Sequence, residues 1–155
     1  MPLWESHASS GSAGFASHNE LLTVTMILLV IAAIAIPRIL NMIKAGRETA
    51  ALGSLREIAG GQAKFREEEL GKDGKVDFAA TLAELSQLGL IDEALGQAEA
   101  EGYRFSLAGG KDSWECSATP EEESSDIRNF IVCTDGVVRS SPPDSVADCG
   151  SDPVE

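Results

Sequence analysis

The run from Leu21 to Ile36 constrains this chain most, because every residue in it is apolar except Thr23 and Thr25. A helix needs about 17–25 apolar residues to cross a bilayer. The run reaches that length if the next turn joins it and Arg38 extends its charged end to the interface. A core helix of a soluble domain normally has a polar face, and this run has none. The sequence therefore predicts a membrane-compatible helix.

An acid stands at the start of this run, Glu20, and a proline at its end, Pro37. A lone carboxylate costs about 2.5–3.5 kcal/mol at the centre of a bilayer and less near its surface. The next basic residue, Arg38, is a helix length away. A suitable cation is the α-amino group of a neighbouring copy, which requires cleavage before the run and side-by-side assembly. Pro37 then marks a place where the helix can kink or locally melt.

Helical periodicity continues beyond the proline, so the sequence predicts one helix over about residues 20–69. It is apolar on all sides at first and amphipathic afterwards. At 1.5 Å per residue this helix is about 75 Å long, and we expect its apolar half to project from a small domain. The predicted core stripe of the amphipathic half consists of Ala51, Leu52, Leu55, Ile58, Ala59, Gln62 and Phe65.

The rest of the chain predicts a short helix and a small sheet. Thr81 and Glu84 form the sequence pattern of a capping box, and Gly89 ends the helix near 81–88. Alternating runs predict strands near 103–107, 114–119, 128–134 and 137–140, followed by an irregular tail. The expected fold class is α+β: a long N-terminal helix packed on an antiparallel sheet of three to four strands.

Composition excludes several functions. The formal net charge is −13, which argues against nucleic acid as a partner of the folded part. The motifs GxSxG, HExxH and the Walker loop are missing, and no Cys–His pair occurs beyond residue 18. We therefore expect no catalytic residues, no cofactor and no metal site.

The three cysteines, Cys116, Cys133 and Cys149, lie in the last quarter of the chain without the spacing of a zinc site. An export-type segment upstream favours a disulfide in an oxidising compartment. The favoured pairing is Cys116–Cys133, because both residues fall in predicted neighbouring strands. The alternative is Cys133–Cys149, which would join the tail to the strand near 128–134.

The residues "GF…ELL…VIAAIAIPRILN" between Gly14 and Asn41 resemble the N-terminal signature of type IV pilins and type II secretion pseudopilins. Glu20 stands 17 positions before Pro37, which is the family's spacing. The order of a long helix, a glycine-rich loop, a short helix and a small sheet is also similar to that of pilin heads. This resemblance implies a structural subunit of a type IV pilus or pilus-like filament.

The resemblance also implies processing. A prepilin peptidase would cut after Gly14 and methylate the new terminus at Phe15, with Glu20 as the assembly carboxylate and Pro37 as the kink. The family places four residues between that glycine and that glutamate, whereas this chain has the five residues "FASHN". Cleavage after Phe15, with Ala16 as the first residue, therefore stays open. The leader also lacks the Lys and Arg that are usual in the family.

The implied organisation is a leader over 1–15, a transmembrane or filament-core helix half over 16–40 and a globular head over 41–155. The expected partners are copies of this chain or other pilins, the peptidase, the inner-membrane assembly platform and, before assembly, membrane lipid. The subunit would cross the inner membrane once with its head outside the cytoplasm, and then join a cell-surface or periplasmic filament. The alternative is a membrane-anchored or cleaved periplasmic binding module, for which Ala33–Ala35 offers a signal-peptidase site before Ile36.

Overall fold

The computed structural model describes residues 17–68, 77–122 and 126–154. Its helices are α1 (His18–Glu67), α2 (Leu82–Gln87) and α3 (Glu93–Gly96). Its strands are β1 (Glu99–Ala100), β2 (Tyr103–Gly109), β3 (Trp114–Pro120), β4 (Asn129–Cys133), β5 (Val138–Ser141) and β6 (Asp152–Pro153). The chain divides into two units, Met1–Leu40 and Asn41–Glu155.

The described part of the first unit is helical and exposes its apolar side chains. Its large apolar residues are each more than half exposed, with Met26 at 70%. The two threonines do not add free hydroxyls to this surface. Thr23 donates to the carbonyl of Asn19, and Thr25 donates to that of Leu21. A helix surface of this kind is compatible with a hydrocarbon environment, where an unbonded polar group is costly.

In the second unit, α1 contributes the amphipathic stripe that the sequence predicts. Its buried positions recur at three- and four-residue spacing: Ala51, Leu55, Ile58, Gly61, Gln62 and Phe65. Four of them, Ala51, Leu55, Ile58 and Phe65, share one core with inward side chains of the sheet. These include Tyr103, Phe105, Cys116, Ala118, Phe130 and Val132. The α+β fold class is confirmed, with a long N-terminal helix packed on an antiparallel sheet.

Helix α2 follows the predicted boundaries closely. The hydroxyl of Thr81 accepts a hydrogen bond from the backbone of Glu84, as a capping box requires. The carboxylate of Glu84 accepts from the backbone N–H of Ala80 rather than from that of Thr81. Gly89 has a φ of +69°, a conformation that favours glycine and ends the helix. The four-residue helix α3 was not predicted, because so short an element shows no periodicity.

The sheet has six strands in the order β1-β2-β3-β4-β5-β6, and every neighbouring pair is antiparallel. The four predicted strands correspond to β2, β3, β4 and β5, so the predicted count of three to four was too low. The two additional strands are the edges β1 and β6, each two residues long. A two-residue strand carries no alternation, and it forms because a longer strand pairs with it.

The tail is more ordered than the sequence predicts. The side-chain amide of Asn129 donates to the carbonyls of Pro142, Pro143 and Ser145. Ala147 packs with Ile131 and Cys133 in a second, smaller buried cluster. The tail therefore covers β4 on the face opposite to α1, and all five residues of that strand are buried.

Candidate functional site

The predicted processing residues Gly14, Phe15 and Ala16 lie outside the described residues. Their roles stay predictions. The described part of the candidate site begins at Ser17 and contains Glu20 and Pro37, which both lie within α1.

Glu20 lies in the first turn of α1. Its Oε2 accepts a hydrogen bond of 2.9 Å from the backbone N–H of Ser17, the residue that precedes the helix. This is the return bond of a capping box, in which an acid at the third helical position bonds the N-cap residue. The positive end of the helix dipole favours a carboxylate here. Sequence reasoning missed this local role, although the pattern Ser-x-x-Glu in "SHNE" is its signal.

The same carboxylate is far from the next cation along the helix. Glu20 and Arg38 are 18 residues apart, which corresponds to about 27 Å at 1.5 Å per residue. Glu20 is also exposed. A hydrogen bond from Ser17 therefore satisfies part of the carboxylate but does not neutralise its charge.

Pro37 is inside the helix, which continues through it. Proline has no backbone N–H, so the carbonyl of Ala33 lacks the donor that would normally bond to it in an α-helix. This carbonyl falls within the apolar run, where an unbonded polar group is a weak point of the helix. The predicted kink at Pro37 stays a prediction.

Among the described residues, α1 is the one helix that is long and apolar enough to cross a membrane. Its most apolar 18-residue window has a mean hydropathy of 2.4, and none of that window is buried inside the protein. The apolar part of α1 therefore has the length and composition of a membrane-spanning helix.

The disulfide joins Cys133 to Cys149, and the favoured pairing of Cys116 with Cys133 was wrong. The register explains the error. Cys116 of β3 lies opposite Val132, and Cys133 lies opposite Glu115. The two cysteines are offset by one residue, so their side chains point to opposite faces of the sheet.

The two sulfur environments differ accordingly. Cys116 belongs to the main core, and burial raises the pKa of its thiol to about 12. Cys149 is exposed, and its Sγ lies 3.9 Å from Oε2 of Glu115. Donor atoms of Glu115, Cys133 and Cys149 fall within 4.8 Å of one another. The two sulfurs are bonded to each other, so in this oxidised form they are not thiolate ligands for a metal.

Among the described residues, three ion pairs connect α1 to Glu122, Asp126 and Arg128. Lys44 bonds Asp126 at 2.8 Å, and Arg47 bonds Glu122 at 3.2 Å. Glu48 accepts from both the guanidinium and the backbone N–H of Arg128. Lys44, Arg47 and Glu48 of the amphipathic helix half therefore have charged partners within the head.

Comparisons with known proteins add no family: no protein-family model, no curated protein and no solved structure matches this chain.

Proposed function

We propose that this chain is a structural subunit of a type IV pilus or pilus-like filament, assembled through its N-terminal helix. The observation that carries the proposal is the contrast along α1. Its first part exposes apolar side chains on every face, whereas its second part buries a regular stripe in the head. A filament with a core of bundled helices and acidic heads outside would use both parts.

Glu20 supplies the assembly step in this proposal. Its carboxylate is exposed at the start of the apolar run and lacks a cation of its own helix within reach. The α-amino group of a neighbouring copy would neutralise it when that copy joins the bundle. In an apolar surrounding an unpaired charge is costly, so pairing the carboxylate with an amine is favoured over leaving it alone.

Pro37 supplies local flexibility in this proposal. The missing hydrogen bond at the carbonyl of Ala33 weakens the helix at the end of the apolar run. When helices pack in bulk, this is where the helix would bend or lose its regular structure. Extraction from the membrane and packing at a new angle would then need no rearrangement of the head.

The experiment that tests the proposal compares Glu20→Gln with Glu20→Ala in cells that express the full chain. The glutamine keeps an oxygen that accepts from Ser17 but removes the charge, whereas the alanine removes both. Loss of sedimentable filaments in both variants, with the subunit retained in the membrane, is expected. Normal filaments from Glu20→Gln would contradict the proposed assembly role. Loss in Glu20→Ala alone would assign Glu20 to helix capping.

The mature N-terminus tests the processing step. Intact mass and N-terminal sequencing of protein from membranes and shed filaments should give a start at Phe15 or Ala16 with one additional methyl group. A start at Ile36 would instead indicate a cleaved periplasmic module. An uncut Met1 in the membrane would indicate a simple anchored protein, and either result would overturn the proposal.

A further inference from the structure

A cleft of about 680 Å³ lies in the head, where the loop between β2 and β3 meets the end of β4. Its walls include the backbone of Gly109 and Gly110, the side chain of Ala108 and the disulfide Cys133–Cys149. Such a volume is within the range of small-ligand clefts. The site does not involve the apolar half of α1, so the inference does not depend on filament assembly.

The register of the sheet creates this cleft. Ala108, Glu115 and Cys133 form one row across β2, β3 and β4 on the face opposite to the main core. Ala108 is small and exposed, and the disulfide ends the row as a raised wall. The floor is therefore largely apolar, with the carboxylate of Glu115 in its middle.

Glu115 and Asp135 line the cleft, and they differ in whether a basic side chain pairs with the carboxylate. Asp135 forms a bidentate pair with Arg139, with distances of 3.1 and 2.5 Å. Hydrogen bonds from this guanidinium hold the pKa of Asp135 below its usual range. Within residues 17–68, 77–122 and 126–154, by contrast, Glu115 has no Lys or Arg in ion-pair contact.

We propose that this cleft binds a basic side chain, a lysine or an arginine, presented by a partner protein. The methylene stem would lie over Ala108 and the disulfide, and the cationic end would meet the carboxylate of Glu115. Lysine and arginine commonly bury their stems while their charged ends stay accessible to water. The strongly acidic composition of the chain would attract such a partner over a distance.

A single exposed ion pair is weak, so one side chain should bind in the millimolar range. The test uses the full ¹⁵N-labelled chain in zwitterionic micelles and two probes, N-acetyl-lysine methylamide and its uncharged analogue N-acetyl-norleucine methylamide. Amide shifts on adding the lysine probe should concentrate at residues 108–110, 113–115 and 133–135. The norleucine probe should bind at least about threefold more weakly, because it lacks the charge.

Three variants separate the contributions. Glu115→Gln should weaken lysine binding at least about threefold, whereas Glu121→Gln changes an exposed acid that does not line the cleft and should leave it unchanged. Ala108→Leu fills the cleft without altering charge and should also reduce binding. Shifts spread over acidic residues of the whole head would overturn the proposal. Equal binding of both probes, or lysine binding that survives Ala108→Leu, would overturn it as well.

Discussion

Gln62 and Ala79 exchange two hydrogen bonds: Nε2 of Gln62 donates to the carbonyl of Ala79, and Oε1 accepts from the N–H of Ala79, both at 2.9 Å. Both residues are fully buried. The side-chain amide of Gln62 thus satisfies the backbone of Ala79 in the way that a neighbouring strand would. It fixes the irregular segment before α2 against α1.

Replacing Gln62 with leucine should destabilise the head by about 2–4 kcal/mol, because the N–H and C=O of Ala79 would be buried without partners. Urea unfolding of the full chain in micelles, followed by circular dichroism, measures this loss. The matched control is Gln87→Leu, since Gln87 is exposed at the end of α2 and its replacement should change stability by less than about 0.5 kcal/mol. Equal stability of Q62L and the original chain would contradict the buried bidentate contact.

A methyl group at Gly109 would overlap the carbonyl of Ala79. Gly109→Ala should therefore lower stability by about 1–3 kcal/mol, since the backbone must move apart. Gly53 of α1 is the control, because no described atom lies within 4 Å of a methyl group built there. Gly53→Ala should raise stability by roughly 0.5–1 kcal/mol through the helix preference of alanine. Thermal unfolding that moves in the same direction for both variants would be inconsistent with the structure.

The three cysteines should differ in alkylation, because Cys133 and Cys149 form a disulfide whereas Cys116 is a free, buried thiol. Cys149→Ser removes the disulfide, which joins residues 16 positions apart, and should lower the free energy of unfolding by about 3 kcal/mol. Without reductant, the native chain should not react with iodoacetamide, because Cys116 is buried and the raised pKa keeps its thiol protonated. After unfolding without reductant, a single alkylated peptide should contain Cys116. An alkylated Cys149 peptide would contradict the observed pairing.

Acid should destabilise the head through its ion pairs. Hydrogen bonds from Arg139 lower the pKa of Asp135, and a hydrogen bond from Lys44 lowers that of Asp126, each from an ordinary value of 3.8. A lowered folded-state pKa means that the stabilisation is complete above about pH 3.8 and is lost as pH falls through the lowered values. Asp135→Asn should remove part of this acid dependence and change stability at pH 7 by at most about 1 kcal/mol. Urea midpoints between pH 7 and pH 2 measure both effects, and an unchanged acid dependence in the variant would argue against this pair.

The helices α1 and α2 could be predicted largely from the spacing of residues that are close together in the sequence. The apolar run that begins at Leu21, the stripe that contains Leu55 and Phe65, and the cap at Thr81 depend on residues a few positions apart. Such neighbours are in contact in any helix, so their spacing predicts the element without knowledge of the fold. The capping role of Glu20 belongs to the same class of signal, although it was overlooked.

Tertiary structure decided what depends on pairing between distant segments. The disulfide partner of Cys133 follows from strand register, since an offset of one residue places Cys116 on the opposite face of the sheet. The edge strands, the ordered tail and the bond partners of Gln62 likewise exist only because other segments lie beside them. The sequence by itself determined the apolar and amphipathic halves of α1 and the main strands, because local periodicity is sufficient for these elements. Strand register and the packing of the tail required the folded chain, because their free energy comes from contacts that no local pattern contains.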